Sequence, residues 1–369
     1  MNPSATPLGV RAEEAAPEPP PRVLPPMEPV EGDPPRTGDR RWAYQPRFSG
    51  QRVTVHLHGA PTALNVWPAL RLVAPDGLDL TSRFPEFAPL AVDRPRRPRI
   101  LDGIIIVTAD ITRGARTSEE TTIDLRGPRP TREVQVANPG GLEYRLAASG
   151  AADAANRALA LRARLLLVDI VHVAGRRVGD LPYVTRRSLI DSELADAPDG
   201  RLWQVPPDHL DVGEALADAI ASWGVTSLIA KRLDSHYFPG LRSPGWSRLD
   251  FPFRDQLVVA GWLRAPRGGH LDGLVLARPE PDGTLRWAGI ATQGLTLSLR
   301  TDLGRHLGRL VTDRPTLTAR PDRRSMPRRV RWLKPDLHVD VAARGARDDG
   351  VLEGIVVLGL TLQPPHDPN

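Results

Sequence analysis

The sequence predicts an α+β protein with two folded units, the second of which is a small β-barrel of the OB type. Its 369 residues are enough for two domains. Between residues 41 and 250, apolar strand-like runs alternate with amphipathic helices, as is typical of an α+β domain. From residue 251 to residue 369, short strands with turn residues and a single helix favour an OB-type barrel.

Residues 1–40 precede these units and differ from them in composition. Residues 1–35 hold eleven of the 39 prolines, with six acids and two arginines, so their net charge is −4. Such a segment has too few apolar side chains to bury a core. We therefore predict a disordered, proline-rich acidic tail. It either keeps the protein in solution, binds a partner, or shields the basic body by imitating DNA.

Hydrophobic period and end signals predict the elements of each unit. In the first unit they are a strand at 52–59, a pair of buried strands at 99–111, a helix at 152–164, a buried strand at 165–175, a helix from Leu181-Pro182 through Leu189, a helix at 211–224 with a glycine cap, and a strand at 225–233. In the second unit they are strands at 256–263, 273–279 and 280–290, a helix near 300–312, and strands at 336–345 and 350–362.

The basic residues are almost all arginine: 47 of 49, with Lys231 and Lys334 the two lysines. Because the whole chain carries +5, the part after residue 35 carries +9, which favours a polyanionic partner such as nucleic acid. The alternative is an arginine-rich codon usage and a solvated surface. Two proline-rich loops hold the densest clusters and suit bidentate phosphate contacts. The candidate DNA-binding residues are Arg94, Arg96, Arg97, Arg99, Arg323, Arg324, Arg328, Arg329 and Arg331.

Several kinds of site are excluded by what the sequence lacks. The chain has no cysteine, so it has no disulfide, thiolate metal site or thiol nucleophile. No run approaches about eighteen uninterrupted apolar residues, and no apolar signal-peptide core is present near residue 1, so we expect a cytoplasmic protein without a membrane partner. His56 and His58 stand two apart on one strand face. Without a third ligand in the sequence, we interpret them as a surface pair rather than a metal site.

Four longer segments carry a family pattern, and their order and spacing agree with it. They read GLDLTSRFPEF (77–87), VDIVHVAGRRVGDLPYVTRRSLID (168–191), AKRLDSHYFPGLRSPGW (230–246) and TLRWAGIATQGL (284–295). This pattern resembles that of ATP-dependent DNA ligases of the bacterial end-joining type. The resemblance implies a ligase-type nucleotidyltransferase domain, which is ATP-grasp-like, at 41–250 and an OB-fold domain at 251–369.

The catalytic motifs of that family are degenerate in this chain. The lysine that attacks the α-phosphate of ATP corresponds to Arg47, in the run Gln45 to Arg52. The adenine-stacking aromatic corresponds to Val168, and a basic position of the barrel motif corresponds to Leu358. The remaining degenerate positions are Ser49 for a carboxylate, Ile104 and Thr226 for metal-associated glutamates, and Arg248 and Asp250 for two lysines.

These replacements remove the chemistry that adenylylation requires. The reaction needs an amine that can form a phosphoramidate, and the guanidinium of Arg47 stays protonated. It also needs a divalent metal held by carboxylates, which Ile104 and Thr226 cannot supply. We therefore expect no catalytic residues, no metal site and no cofactor. Arg47, Arg52 and Lys231 remain as candidates to hold a nucleotide or phosphate by charge. Lys231 is alternatively a structural ion pair with Asp169 or Asp102.

Three functions remain open from the sequence. The first is a catalytically degenerate ligase homologue that binds double-stranded DNA at nicks or ends. It would act as a non-catalytic accessory factor in DNA repair, with a possible repair-protein partner, in the cytoplasm of a bacterium and associated with the nucleoid. The second is an active ATP-dependent DNA ligase with an unusual active site, which would need ATP and magnesium. The third is a protein-interaction scaffold that no longer binds DNA.

Overall fold

The computed structural model describes residues 21, 23–32, 39–58, 69–92, 98–111, 123–124, 134–194, 202–265, 271–318 and 330–362. Within these ranges the chain forms strands, six α-helices and two short 3-10 helices. None of the helices in these ranges is long and apolar enough to span a membrane.

Up to residue 250 the chain alternates strands with helices. The elements are β1 (Glu28–Glu31), β2 (Trp42–Pro46), β3 (Gln51–Leu57), β4 (Leu70–Val73), the 3-10 helices Thr81–Arg83 and Pro85–Phe87, α1 (Pro89–Val92), β5 (Arg99–Ile111), β6 (Ile123–Asp124), β7 (Val134–Ala137), α2 (Pro139–Leu146), α3 (Ala151–Ala160), β8 (Ala163–Val173), β9 (Arg176–Arg177), α4 (Tyr183–Leu194), β10 (Trp203–Gln204), α5 (Val212–Trp223), β11 (Ser227–Arg232) and β12 (Arg242–Asp250).

After residue 250 the described chain is mostly strand. The elements are β13 (Phe253–Arg264), β14 (Leu271–Pro279), β15 (Leu285–Ala291), α6 (Leu297–Leu310), β16 (Val311–Thr312), β17 (Val330–Leu333), β18 (Leu337–Ala343), β19 (Gly345–Ala346), β20 (Leu352–Glu353) and β21 (Val356–Leu362).

Two sheets form the first unit, with strand orders β1-β12-β11-β2 and β10-β8-β5-β3-β4. The central strands β5 and β8 are antiparallel, and both are mostly apolar because both of their faces are covered. Helix α5 packs against β2 and β11 of the first sheet. It begins where the Asp211 carboxylate accepts hydrogen bonds from the backbone N–H of Gly213 and Glu214, and it ends at Gly224 in the left-handed conformation.

The second unit closes into an OB-type barrel. Strand β13 pairs with β14 on one side and β18 on the other, β14 pairs with β15, and β18 pairs with β21. A parallel bridge between Gln293, just after β15, and Val356 in β21 joins the two ends. The strands therefore follow one another around the barrel in the order β13-β14-β15-β21-β18 and back to β13. Helix α6 lies between β15 and β18 in the chain. This is the Greek-key order of an OB-fold. The predicted fold class is confirmed.

The prediction of a disordered tail over residues 1–40 is wrong for its described part. Residues 23–32, which we call the N-terminal strap, run along the first sheet, and β1 pairs in parallel with β12. Met27 is fully buried against a cluster that includes Tyr237 and Trp246. Acidic and proline-rich composition did not reveal this single apolar anchor. Residues 1–20, 22 and 33–38 lie outside the described residues.

Two further predictions differ in detail from the structure. Residues 99–111 form the single strand β5 instead of a pair, because one long strand pairs along its length with both β3 and β8. The helix predicted at 152–164 ends at Ala160, since β8 already begins at Ala163. The other predicted helices and strands lie within about five residues of described ones, whereas β2, β4, α2 and β12 were not predicted.

A shared hydrophobic cluster crosses the predicted domain boundary near residue 250. Leu216 and Ile220 of α5 pack in one cluster with Ala342, Val356 and Leu358 of the barrel. Leu358, the position at which a basic residue was lost, is therefore a core residue with 6% exposure. The predicted boundary at residue 250 lies where the two sheets of the first unit end and the barrel begins. The two units are packed directly together through this cluster.

Candidate functional site

A cavity of about 450 Å³ lies between the two sheets of the first unit. Both sheets and the N-terminal strap line it. Among its lining residues are Arg47, Arg52, Ile104, Val168, Lys231 and Arg248, which come from six different strands or strand ends. The cavity is thus at the place where the motif resemblance puts the nucleotide.

One wall of the cavity is apolar, and it includes Ile104, a position that the family resemblance gives to a glutamate. Phe48, Ile104 and Val168 line the cavity and belong to one hydrophobic cluster with Trp223. Phe48 meets Trp223 edge to face at 4.9 Å between ring centroids, which fixes this wall. Ile104 is 8% exposed and offers no oxygen. A magnesium ion needs oxygen ligands, so it does not fit this wall.

Arg47, to which the motif resemblance gives the position of the attacking lysine, is half-buried. Its backbone N–H bonds to the Ser227 carbonyl at 2.8 Å, which fixes the end of β2. No hydrogen bond or ion pair within the described part of the chain engages its guanidinium. Burial, and then the neighbouring charge of Arg248, lower the pKa of Arg47 from its ordinary value, while Asp250 opposes the shift. Arg47 is therefore a cation facing the cavity, ready to meet an anion.

Arg52, the second phosphate candidate, is already engaged. It donates two hydrogen bonds of 2.5 Å to the two oxygens of Asp102, which is fully buried. Burial alone would lower the pKa of Arg52, but the Asp102 carboxylate raises it above the usual value. Tyr237 also donates to Asp102, at 2.8 Å. Arg52 thus serves first to neutralise a buried carboxylate, and its role as a free phosphate contact is not supported by this geometry.

Lys231, the third phosphate candidate, is 1% exposed at the cavity. Its Nζ donates to the Val168 carbonyl at 2.6 Å and lies over the rings of Tyr183 (4.7 Å) and Trp246 (4.3 Å). The predicted ion pair with Asp169 or Asp102 is wrong, because Arg186 and Arg52 hold those carboxylates. Burial lowers the pKa of Lys231 to about 8. Lys231 is therefore still mostly protonated at pH 7, with a small neutral fraction.

The remaining degenerate positions are occupied by local contacts. Asp250 forms an ion pair with Arg248 at 2.7 Å and accepts a hydrogen bond from Ser227 at 2.6 Å. Ser49 is exposed at the turn before β3. Thr226 is half-buried, and its carbonyl accepts from the backbone N–H of Phe251. None of these four side chains is arranged with others to form a cation site.

Sequence reasoning missed the buried polar groups behind the cavity. Arg186 and Asp169 form a fully buried bidentate pair at 2.9 and 2.8 Å. Tyr183 donates to Asp208 at 3.0 Å and accepts from Gln45 at 3.2 Å. The only signal in the sequence was an aspartate inside the apolar run of β8, since a buried charge in such a strand requires a partner.

The arginine loops fall largely outside the described residues. Arg94, Arg96, Arg97, Arg323, Arg324, Arg328 and Arg329 all lie there. Arg99 is 8% exposed and ion-paired with Glu193, so its placement does not favour a contact with DNA. Arg331 is exposed on β17 and lies over the ring of Trp262 at 5.8 Å. Among the described candidates, Arg331 is the one presented to solvent.

The histidine pair is buried, contrary to the surface interpretation. His56 is 1% exposed and His58 is 8% exposed. The opposite face of β3 carries Val53, Val55 and Leu57, which are also buried, so both faces of this strand are covered. Thr54 Oγ1 lies 3.1 Å from His56 Nε2. Across the described ranges, no group of three or more histidine, aspartate or glutamate side chains is placed to hold a metal ion.

The comparisons with known proteins agree with the motif resemblance. No protein-family model matches the chain. It is 27% identical over 338 residues to the multifunctional non-homologous end joining protein LigD of Mycolicibacterium smegmatis, which is 90% of this chain and 37% of that protein. To DNA ligase C1 of the same organism it is 26% identical over 251 residues, 67% of this chain and 62% of that protein.

Among solved structures, the ligase domain from Mycobacterium tuberculosis LigD aligns with 91% of this chain and 94% of that domain, at 24% identity and a TM-score of 0.44. The LigD protein of the same organism is 27% identical over 277 residues, 74% of this chain and 30% of that protein. The chain thus spans about a third of the LigD proteins that it matches. Over most of its length, the chain is homologous to the ligase domain of the bacterial end-joining LigD proteins.

Proposed function

We propose that this chain is a non-catalytic homologue of the end-joining DNA ligases, which binds double-stranded DNA at nicks or ends as an accessory factor in repair. The homology supports the DNA partner, since the relatives are named as DNA ligases and end-joining proteins. The charge of +9 outside residues 1–35 supports it independently. A cytoplasmic, nucleoid-associated location and a repair-protein partner belong to the same proposal.

One observation carries the non-catalytic part of the proposal. The motif resemblance gives Arg47 the position of the attacking lysine, and the apolar cluster around Ile104 lines the same cavity. A guanidinium cannot give up a proton to form a phosphoramidate at physiological pH. An isoleucine cannot hold the metal that would neutralise a triphosphate. The amine at the position of Arg47 and the carboxylates at this apolar wall are therefore both missing.

Labelling with ATP tests this part directly. The protein is incubated with α-labelled ATP and magnesium, denatured, and examined for a covalent protein–AMP adduct. We expect no adduct from the natural chain. We also expect none from Arg47→Lys, since the restored amine still faces a wall without metal ligands. An adduct in the natural chain would refute the proposal, whereas an adduct only in Arg47→Lys would locate the defect in the nucleophile alone.

Mobility shifts with nicked, blunt-ended and closed-circular duplexes test the DNA part. We expect binding that weakens steeply with salt, as phosphate contacts require. The slope is that of the logarithm of the DNA affinity against the logarithm of the salt concentration. Replacing Arg331 by glutamine should lower its magnitude by about one. The matched control is Arg41→Gln, which removes an exposed arginine that is paired with Asp39. Binding that ignores salt, or the absence of any binding, would contradict the proposed DNA partner.

An active ligase is a second candidate, favoured by one observation. Lys231 lines the cavity, and burial lowers its pKa to about 8, so it is an amine able to act as a nucleophile. In that case the labelling experiment gives an adduct that Lys231→Ala abolishes. Lys334→Ala, which removes an exposed lysine, is the matched control. The absence of any adduct would exclude this candidate, and an adduct that survives Lys231→Ala would exclude Lys231 as the nucleophile.

A further inference from the structure

The N-terminal strap forms one side of the cavity whose other sides carry cations. Residues 25–29 and Glu31 line the cavity from this side. Arg47, Arg242 and Arg248 line it from β2 and β12. The strap therefore lies at the place where an anionic ligand of those arginines has to enter.

The strap brings two carboxylates to these arginines. Glu28 forms an ion pair with Arg242 at 3.3 Å. Glu31 stands opposite Arg248 in the β1–β12 register. Both glutamates are exposed and both line the cavity. The glutamate carboxylates attract the arginine side chains beside them. A phosphate that binds the same arginines is repelled by these two carboxylates.

The strap is attached by the buried side chains of Pro26 and Met27, by a hydrogen bond from Arg344 Nη2 to the Gly32 carbonyl at 2.7 Å, and by few backbone bonds. Met27 is fully buried, and its N–H donates to Tyr237 Oη at 2.9 Å. Two further bonds join Gly240 N–H to the Pro25 carbonyl (2.9 Å) and Glu28 N–H to the Leu241 carbonyl (3.0 Å). Prolines 25, 26 and 29 have no N–H to donate.

The pairing of the strap with its sheet is that of a minor edge strand. Strand β1 has four residues, lies at the end of the sheet, and shifts register between Pro29 and Val30. A short parallel edge strand of this kind is easier to detach than the central strands β5 and β8. The strap can therefore leave the cavity while the rest of the fold stays intact.

We propose that the N-terminal strap is an autoinhibitory element of the cavity. Its two glutamates occupy the anion-binding side, and the strap must move before a phosphate-bearing ligand can bind there. The proposal concerns which ligand enters the cavity. It therefore stands or falls separately from the absence of catalysis.

Calorimetric titration with ATP, in the absence of metal, tests the role of the glutamates. The variant Glu28→Gln/Glu31→Gln keeps the size of both exposed side chains and removes their charges. Glu143→Gln/Asp272→Asn removes two exposed acids away from the cavity and is the matched control. We expect the strap variant to bind ATP roughly tenfold more tightly than the natural chain and the control. Equal affinities, or no binding by the strap variant, would overturn the proposal.

Thiol labelling tests the movement of the strap in the full-length protein. Because the chain has no cysteine, Met27→Cys introduces a single buried thiol, and Val259→Cys introduces one in the barrel core. We expect the thiol at position 27 to react faster than that at position 259, and ATP to accelerate the first reaction alone. Equal rates that ATP leaves unchanged would show a permanently fixed strap. A protein–AMP adduct in the experiment with labelled ATP bears on catalysis only. The proposal of a non-catalytic protein and the proposal of an autoinhibitory strap can therefore fail independently.

Discussion

Replacing Arg186 by methionine should destabilise the fold more than any exposed arginine replacement. Arg186 donates to both oxygens of Asp169, at 2.9 and 2.8 Å, and to the carbonyls of Leu181 (2.6 Å) and Ser235 (2.8 Å). Both charges are fully buried. Methionine fills a similar volume but leaves the carboxylate without its partner, which costs about 3–5 kcal/mol of the free energy of unfolding.

Urea denaturation followed by fluorescence measures this cost, with the slope of the transition checked for constancy. The double variant Asp169→Asn/Arg186→Met removes the isolated charge, so it should recover at least about half of the loss. The matched control is Arg232→Met. It breaks an exposed pair with Asp234 and should cost less than about 1 kcal/mol. If Arg186→Met costs no more than this control, or if the double variant is less stable than the single one, the reasoning about the buried pair is refuted.

Two further predictions concern acid and the joint between the units. Burial, helped by the charge of neighbouring His58, lowers the pKa of His56 to about 4. An unfolded histidine titrates near pH 6.5, so between these values the unfolded chain binds the extra proton, and the free energy of unfolding should fall by up to about 3 kcal/mol as the pH drops from about 6.5 to about 4. Urea titrations at several pH values across this range should show this fall in the free energy of unfolding in the natural chain and in the exposed control His236→Gln. The fall should be smaller in His56→Gln. An equal fall in His56→Gln would contradict the assignment to His56. At the joint, a Cβ added to Gly213 would lie 2.4 Å from Gly294 Cα and 2.9 Å from the Val357 carbonyl. Gly213→Ala should therefore lower the free energy of unfolding by about 1–3 kcal/mol, whereas Gly308→Ala, which meets nothing within 4 Å on helix α6, should raise it by up to about 1 kcal/mol. Thermal denaturation of the two variants distinguishes these effects. Equal changes in melting temperature for Gly213→Ala and Gly308→Ala would show that the packing at Gly213 is loose.

The elements with strong local signals could be predicted from the sequence. Helix α5 has its aspartate cap, its apolar face and its closing glycine within fourteen consecutive residues, 211–224. Strand β8 is a mostly apolar run that also contains Asp169 and His172. The OB order followed from short strands and one helix, and the position of the cavity followed from motif spacing rather than from any single residue.

What the sequence did not reveal depends on contacts between distant residues. The strap is held by Met27 against Tyr237, across about two hundred residues, so its local composition still resembles that of a disordered segment. Arg47, Arg52 and Lys231 are alike as charges in the sequence. Only the fold separates them, because Asp102 engages Arg52 and a carbonyl engages Lys231, which leaves Arg47 facing the cavity. The burial of His56 likewise depends on a second layer over β3 that alternation alone cannot indicate.

The shared cluster of α5 and the barrel has a mechanical consequence. Turning the barrel away from the first unit would expose the side chains of Val356 and Leu358 together with the apolar face of α5. Uncovering such side chains costs about 1.5–3 kcal/mol each, so a large swing is unfavourable without a partner that covers them. We therefore expect the two units to tumble as one rigid body. The proposed duplex partner would therefore meet the two units in one fixed arrangement.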